Sequence, residues 1–225
     1  MKPKDIKFPY SWKERKPLLQ DQILFVPKYY DKHTQWRFPD FADPELFGNT
    51  NEVLIEYCSG NGSWIAEKAM QNPDKNWIAV EKKFERVAKI WAKSKNMNLK
   101  NFLIVCGDAI EFTKYYLTPQ HIIHSAYVNF PDPWPKEKHA KHRLLQGEFL
   151  VELSRVIIKG GTVTVVTDDD VYRDQVCDEM LKTPDWYSAF CYPFFTKQWP
   201  GYGSSYFEEL WRAKGKEIFY LQFSH

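Results

Sequence analysis

Residues 53–62 read VLIEYCSGNG, an apolar run that ends near a carboxylate and is followed by a turn of small residues. The run VLIEY has the length of a buried β-strand, and the stretch SWIAEKAMQN after the turn is typical of a helix. Glycines between a strand and a helix let a ligand approach the backbone, and the first turn of the helix offers unpaired N–H groups. The stretch therefore predicts the first strand-turn-helix unit of a ligand-binding sheet.

Four further apolar runs repeat this plan along the chain. They lie at residues 76–81, 102–108, 126–132 and 162–168, and each ends in Glu or Asp. Helix-like stretches separate them, which predicts a parallel sheet with helices on both faces and right-handed crossovers. We expect a doubly wound α/β fold with a mostly parallel sheet of about seven strands, in which residues 217–223 form an antiparallel last strand.

The segments around these units complete the predicted plan. The glycines of residues 159–161 (KGG) follow a helix-like stretch, so they predict the end of that helix and a reversal of the chain. The first fifty residues are rich in proline, aromatic side chains and charge. We expect residues 1–50 to form an N-terminal extension that packs on a core domain at residues 51–225.

Composition and cysteine spacing disfavour several classes of protein. The net charge of +2 and the pI near 8.2 are too small to indicate nucleic-acid binding by themselves. The four cysteines are far apart and form no CxxC, which favours free thiols in a reducing cytosol over a disulfide framework or a zinc site. No segment approaches the ~18 apolar residues of a membrane span, and the N-terminus has no signal-peptide core. We expect a cytoplasmic protein without a metal or a membrane partner.

Five carboxylates at predicted strand ends are the first candidate site. They are Glu56, Glu81, Asp108, Asp132 and Asp168. The carboxyl ends of parallel strands share one rim of a doubly wound sheet, and ligands bind there. A single acid after a strand is usually a helix N-cap or a solvated turn residue. Five acids at equivalent positions indicate a shared site, although any one of them can still be a cap.

The glycine spacing narrows the choice of cofactor. With Gly60 and Gly62 as the first pair of GxGxxG, the third glycine is missing, and the chain has no GxxxxGK[ST]. A dinucleotide site and a phosphate cradle are therefore disfavoured. Glu81 could accept hydrogen bonds from the ribose hydroxyls of an adenosine, and Asp108 could accept one from its adenine amino group. Glu56 suits an ammonium group. S-adenosylmethionine matches these features, because it has no pyrophosphate and carries a sulfonium and an ammonium group.

Residues 129–143, NFPDPWPKEKHAKHR, join a rigid acidic turn to a basic run. Prolines on both sides of Asp132 restrict the backbone and so direct its carboxylate, although a plain turn capped by Asp132 is the alternative. The run KEKHAKHR has four Lys or Arg against one Glu, and beside an active edge it could hold RNA phosphates. It could equally be a solvated surface. His139 and His142 lack the acid or cysteine partners of a zinc site.

Taken together, the motifs resemble the tRNA (guanine-N7-)-methyltransferase family. The resemblance covers the chain from about residue 20 and rests on EYCSGNG, IAVEKK, CGDA, NFPDPWPKEKHAKHR, TDDDVY from residue 167 and SYFE at 205–208. PDPWPK is highly specific to that family. The resemblance implies a Rossmann-like, class I methyltransferase that moves a methyl group from S-adenosylmethionine to N7 of a guanosine in the tRNA variable loop (position 46).

Carried over position by position, the resemblance assigns roles to individual residues. Cofactor contacts fall at Glu56, Gly60, Glu81, Asp108, Ala109 and Asp132, and Asp132 is also the catalytic position. Substrate contacts fall at Lys136, Asp168, Ser205, Tyr206, Phe207 and Glu208. The family usually writes the first turn as E-x-G-x-G-x-G, where this chain has Cys58 for the first glycine. A positive φ at that residue would cost ~1 kcal/mol. Ser205 stands where Thr is common, and it keeps the hydroxyl.

Alternative functions stay open from the sequence. The chain could be a methyltransferase that acts on a protein or a small molecule, or an RNA-binding relative that has lost catalysis through Cys58. A nicotinamide oxidoreductase is disfavoured by the glycine spacing. The resemblance implies tRNA as the partner, but the sequence does not decide between a monomer and a homodimer, nor which tRNAs are modified.

Overall fold

The computed structural model describes residues 1–10 and 15–225, so residues 11–14 of the predicted extension lie outside the described residues. In the described part, the strands are β1 (Leu18–Gln20), β2 (Ile23–Phe25), β3 (Val53–Tyr57), β4 (Asn76–Glu81), β5 (Phe102–Cys106), β6 (Ile123–Asn129), β7 (Ile157–Thr167), β8 (Tyr187–Ser188) and β9 (Phe219–Ser224). The α-helices are α1 (Ser63–Gln71), α2 (Phe84–Asn96), α3 (Ala109–Tyr115), α4 (Gly147–Val156), α5 (Asp170–Lys182) and α6 (Tyr206–Ala213). Short 3-10 helices lie at Pro3–Asp5, His33–Gln35 and Glu137–His142.

The described strands form one nine-stranded sheet in the order β1-β2-β5-β4-β3-β6-β7-β9-β8. The five pairings from β2 to β7 are parallel, whereas β1, β9 and β8 pair antiparallel with their neighbours. The predicted doubly wound fold with an antiparallel late strand is therefore confirmed. The seven strands from β3 onward match the predicted number, and the hairpin β1–β2 adds two. The strand order reverses between β3 and β6, which is the point where sheets of this kind bind ligands.

The core consists of two apolar layers, one on each face of the sheet. Successive residues of β3 point to opposite faces, so Val53, Ile55 and Tyr57 belong to one layer and Leu54 to the other. Helices α3, α4 and α5 cover the first face, and α1 and α2 cover the second. All five residues of β3 are buried. Burial on both faces explains why these strands read as continuous apolar runs.

Residues 23–25 of the predicted extension form β2 and pair in parallel with β5. The chain then passes close over the end of β5, since a Cβ added at Gly107 would lie 2.5 Å from the Cβ of Val26. Gly107 thus has a packing reason to be glycine. The boundary at residue 50 stays a prediction.

The segment KGG does not form the predicted turn. β7 starts at Ile157, directly after α4, and continues through both glycines. Ile123 of β6 pairs with Ile157 of β7, and Ser125 pairs with Thr162. Between these two pairs β7 has more residues than β6, so its additional residues form a β-bulge. Just before β7 pairs regularly with β6 again at Thr162, the chain needs a glycine, because a Cβ at Gly161 would lie 2.7 Å from the carbonyl oxygen of His124.

Candidate functional site

A cavity of about 640 Å³ opens at the carboxyl ends of β4, β5, β6 and β7. Six of the predicted site residues line it: Glu81, Asp108, Ala109, Asp132, Asp168 and Phe207. A narrow cleft beside it is lined by three more, Glu56, Ser205 and Tyr206, and again by Phe207. Gly60, Lys136 and Glu208 are not among the residues that line either space. The structure therefore brings most of the predicted acids to one rim and places Glu56 behind it.

Glu81, the last residue of β4, is buried and held by backbone donors. Its Oε1 accepts from the N–H of Lys83 at 2.9 Å, and its Oε2 accepts from the N–H of Gly60 at 3.1 Å. The guanidinium of Arg86 lies 3.5 Å from Oε2. A carboxylate has about four acceptor positions, so Glu81 retains capacity for a ligand hydroxyl. The bond from Gly60 also ties the glycine turn to the end of β4.

Asp108 is a helix cap, as any single strand-end acid can be. Its Oδ1 accepts from the N–H groups of Ile110 at 2.9 Å and Glu111 at 3.3 Å, which caps α3. The side chain is exposed in the cavity wall, next to Ala109. Capping through Oδ1 fixes the carboxyl group, and Oδ2 can serve a ligand amino group.

Glu56 lies in the interior, 2% exposed. Its Oε1 accepts from Asn129 Nδ2 at 2.6 Å, while Oε2 is buried and has no hydrogen-bond partner among residues 1–10 and 15–225. Burial raises the pKa of Glu56 to about 8, and the nearby charge of Glu81 adds to this, against the lowering effect of the Asn129 bond. An unpaired buried oxygen costs free energy, so Oε2 is a natural acceptor for a cationic ligand group.

The turn between β3 and α1 needs left-handed backbone at several residues. Cys58 has φ 60°, Gly60 φ 57° and Gly62 φ 71°. Cys58 therefore has the positive φ at which a residue with a Cβ costs ~1 kcal/mol of stability. A Cβ at Gly60 would lie 3.1 Å from the ring of Phe207, and one at Gly62 would lie 2.7 Å from Ile90. Burial raises the pKa of the Cys58 thiol to about 12, so it stays neutral.

Asp132 stands on a strained turn directly after β6. The residues outside the two prolines, Phe130 and Trp134, have φ 50° and 45°, a conformation that bulky side chains rarely adopt. The Asp132 side chain is exposed at the cavity wall. Strain of this kind persists only where the surroundings hold it, and it clusters at functional sites.

Arg143 supplies that support and is the main residue that sequence reasoning misassigned. In the sequence it is the last residue of the basic run that could contact RNA, but it is only 8% exposed. Its Nε donates to the Pro133 carbonyl at 2.7 Å, Nη2 lies 3.4 Å from the Trp134 carbonyl, and Nη1 donates to Gln175. The guanidinium therefore fastens the turn that carries Asp132, and no feature of the run distinguishes it from its neighbours.

The rest of the basic run follows the turn as a 3-10 helix at Glu137–His142. Lys136 is exposed at the N-terminus of that helix, and Lys141 and His142 reach the cavity wall. Trp134 packs beside His142, with ring centroids 5.3 Å apart. Across the cavity, Lys82, Lys83 and Arg86 line the opposite wall, a basic cluster that follows directly from EKKFER in the sequence.

Asp168 and the segment 205–208 lie on the far side of the rim. Asp168 is paired with Lys216, a residue that sequence reasoning did not single out. Ser205 Oγ caps α6 by accepting from the N–H of Glu208 at 3.1 Å. Glu208 is buried and accepts from Tyr220 Oη at 2.6 Å and from Arg212 at 3.0 Å. Glu208 therefore acts inside the protein, whereas Tyr206, 52% exposed, faces solvent.

Two further properties of the described residues bear on function. They contain no group of three or more His, Cys, Asp or Glu side chains arranged to hold a metal ion. Among the helices of the described part, none is long and apolar enough to cross a membrane.

Comparison with known proteins bears on the family and the fold of the chain. Residues 50–221 match a family model described as "Putative methyltransferase". A tRNA (guanine-N(7)-)-methyltransferase from Chlamydia abortus is 44% identical over 223 residues, 99% of this chain and 97% of that relative. One from Chlamydia felis is 45% identical with the same coverage. The solved 16S rRNA methyltransferase KamB has a TM-score of 0.58 at 18% identity, covering 84% of this chain and 94% of KamB, which supports the fold alone.

Proposed function

The chain belongs to the tRNA (guanine-N7-)-methyltransferase family, and we propose that it methylates N7 of a variable-loop guanosine in tRNA through the rim residues described above. S-adenosylmethionine is the cofactor. The observation that carries the assignment of the site is the shared cavity, in which Glu81, Asp108 and Asp132 meet between two groups of basic side chains. Free cysteines at positions 58, 106, 177 and 191 favour a cytoplasmic protein.

The residues present fit the cofactor. Glu56 Oε2 is buried without a partner among the described residues and suits an ammonium group, and a Cβ at Gly60 would crowd the Phe207 ring at 3.1 Å. Glu81 is placed for the ribose hydroxyls, and Asp108 with Ala109 for the adenine edge. When bound, S-adenosylmethionine supplies an electrophilic methyl group on a sulfonium centre. The carboxylates Glu81, Asp108 and Asp132 in the cavity wall suit this cation.

Asp132 is the proposed catalytic residue. Guanine N7 already carries an in-plane lone pair, so methyl transfer requires no base to remove a proton. Alignment and electrostatic stabilisation then supply most of the rate. Asp132 would accept from the N1–H or amino group of guanine and offset the positive charge that develops on the ring. The strained, Arg143-fastened turn holds this carboxylate in a fixed direction.

The tRNA would lie across the basic walls of the cavity. Lys136 and Lys141 on one side and Lys82 and Lys83 on the other are placed to contact phosphates, which position a nucleic acid without reading its sequence. Asp168 would release Lys216 and contact the guanosine itself, or it would keep its ion pair and position Lys216 to contact the guanosine.

In the segment 205–208, Ser205, Tyr206 and Phe207 are the residues accessible from the cleft. Glu208 would act through its buried bonds, by holding α6 in place. A methyltransferase that acts on a protein or small molecule is disfavoured by this amount of positive charge at the rim.

The test is methyl transfer to unmodified tRNA with labelled S-adenosylmethionine, followed by mapping of the modified nucleoside. We expect 7-methylguanosine in the variable loop. Asp132→Ala should lower kcat by at least about 100-fold with cofactor affinity retained, on the scale seen when a charge-stabilising group is removed. Asp185→Asn, a change in an exposed ion pair with Lys159, serves as the matched control. A methyl group at another atom, or near-normal turnover of Asp132→Ala, would contradict the proposal.

A further inference from the structure

A buried hydrogen-bonded chain links Glu56 to the aromatic segment that precedes α6. Tyr202 Oη donates to Asn129 Oδ1 at 2.7 Å, and Asn129 Nδ2 donates to Glu56 Oε1 at 2.6 Å. All three side chains are buried, with 7%, 5% and 2% of their surface exposed. Tyr202 and Glu56 are far apart in the sequence. Asn129 is the first residue of the motif NFPDPWPKEKHAKHR, but the proposed mechanism gives no role to Asn129 or to Tyr202.

In this chain of bonds, Tyr202 donates to Asn129 and Asn129 donates to Glu56. An amide group has a donor end and an acceptor end, and the Tyr202 hydroxyl occupies the acceptor end of Asn129. Asn129 must then present its NH₂ group to Glu56. A donor to Oε1 favours the carboxylate form of Glu56 and leaves Oε2 without a protein partner.

Tyr202 is held in place by contacts that do not involve its hydroxyl. Its carbonyl accepts from Trp64 Nε1 at 3.0 Å, and its ring stacks on Trp64 with centroids 5.2 Å apart. The neighbouring Gly201 carbonyl accepts from Lys68 Nζ at 3.2 Å. Replacing Tyr202 by phenylalanine therefore removes the donor to Asn129 and keeps the ring and the backbone contacts.

We propose that Tyr202 is a positioning residue that fixes the Asn129 amide, so that Glu56 keeps Oε2 as the acceptor for the ammonium group of the cofactor. The inference rests on the proposed function, since it takes Glu56 as the ammonium site. Without the Tyr202 hydroxyl, Asn129 can turn its carbonyl oxygen toward Oε1. That arrangement requires a proton on Oε1 and so favours neutral Glu56, which attracts a cation weakly.

The surroundings of Glu56 make its protonation sensitive to this one bond. Burial already raises its pKa to about 8, and the titratable groups that act on Glu56 and its partners are acids: Glu81 on β4, Cys58 in the turn, Tyr127 on β6 and Tyr202 itself. Because each of these groups is neutral or negative, losing the Asn129 donor raises the pKa further. The loss should weaken cofactor binding most near neutral pH and least at high pH.

The test compares Tyr202→Phe with Tyr57→Phe, a matched control on the same strand as Glu56. Tyr57 is also fully buried, and its hydroxyl forms a bond of the same length, 2.7 Å, to Thr113. Calorimetry between pH 6.5 and 9.5 measures the affinity for S-adenosylmethionine and S-adenosylhomocysteine, and ¹³C NMR follows the Glu56 carboxyl in the protein alone. We expect Tyr202→Phe to raise the Glu56 midpoint by at least about one pH unit and to weaken binding near pH 7.5 by about 10-fold. The control should change neither.

A double-mutant cycle with Asn129→Ala separates positioning from general stability. If Tyr202 acts through Asn129, then Tyr202→Phe has no further effect on the Glu56 midpoint in the Asn129→Ala background. Additive effects, or an unchanged midpoint and affinity profile in Tyr202→Phe, overturn the inference and leave the proposed function standing. Failure of the wild-type protein to bind either compound overturns both. If Asn129→Ala does not fold, the comparison of Tyr202→Phe with Tyr57→Phe decides alone.

Discussion

Replacing Glu56 by glutamine removes a buried charge and keeps the shape of the side chain. The acid is 2% exposed, and burial raises its pKa to about 8 from an ordinary value of 4.5. The folded protein therefore binds this proton more tightly than the unfolded chain does. For such a group, stability is fully present below about pH 4.5 and is lost as the pH rises through about 8.

The size of the effect follows from the two pKa values. Relative to acid pH, the raised pKa of Glu56 lowers the free energy of unfolding by roughly 3 kcal/mol at pH 7 and by roughly 5 kcal/mol above pH 9. Glutamine has no charge to bury, and its Oε1 can still accept from Asn129. We expect the free energy of unfolding of Glu56→Gln, relative to wild type, to rise by about 3 to 4 kcal/mol between pH 5 and pH 8.5.

The assay is urea unfolding of the cofactor-free protein at several pH values, paired with cofactor titration. Glu56→Gln should also bind S-adenosylmethionine about 10- to 100-fold more weakly, because a charge-assisted hydrogen bond is worth about 1.5–3 kcal/mol. Glu52→Gln is the control: Glu52 is 53% exposed and pairs with Lys75 at 3.0 Å, so its loss should change stability by less than about 1 kcal/mol. A stability difference for Glu56→Gln that stays flat from pH 5 to 8.5, or an unchanged affinity, would refute this reasoning.

Three further substitutions test the turns and the basic wall. Cys58→Gly should raise the free energy of unfolding by about 1 kcal/mol in urea, because residue 58 has φ 60°; a loss of stability would show that the side chain packs usefully. Arg143→Lys should cost about 2–3 kcal/mol and lower kcat, because lysine lacks the planar guanidinium that reaches Pro133, Trp134 and Gln175 together; wild-type turnover would place the support elsewhere. Lys141→Glu should weaken tRNA binding and leave cofactor affinity unchanged. The slope of log affinity against log salt concentration should fall by about 1, the value for one phosphate contact; an unaltered slope would show that Lys141 does not contact the tRNA.

The sequence predicts the central sheet because each strand and the acid at its end are local signals. An apolar run, a carboxylate and a helix repeat in order, and the handedness of the crossovers then leaves few topologies. The acids Glu81, Asp108, Asp132 and Asp168 meet at one cavity for this reason. The PDPWPK turn is likewise contained in a few consecutive residues.

The hairpin β1–β2 escapes such reasoning, since its strands have three residues each. Its turn uses Asp21 and Gln22 with φ 52° and 65°, where Asn-Gly would be the usual signal. The partner of β2 lies about eighty residues later on β5. A short strand without turn glycine and with a distant partner leaves no periodic pattern to read.

Long-range polar bonds are the other part of the site that the sequence does not reveal. Arginine is usually a surface residue, but Arg143 is buried. Its burial is possible because its guanidinium donates to backbone carbonyls, such as that of Pro133. Asn129 and Tyr202 meet across 73 residues, and nothing in either neighbourhood marks the pair. Residue types and spacing predict where a carboxylate lies, but its hydrogen-bond partners depend on packing.

The position of β9 has a consequence for how the chain is made. β9 lies between β7 and β8, although both of these strands precede it in the chain. During synthesis on the ribosome, the edge of β7 therefore stays unpaired until residues 219–224 have emerged, and an unpaired strand edge invites pairing with other chains. The same residues bring Tyr220 to Glu208. Assembly of the substrate side of the site is thus coupled to the last step of sheet closure, so a nascent chain that lacks β9 has neither a closed sheet nor this part of the site.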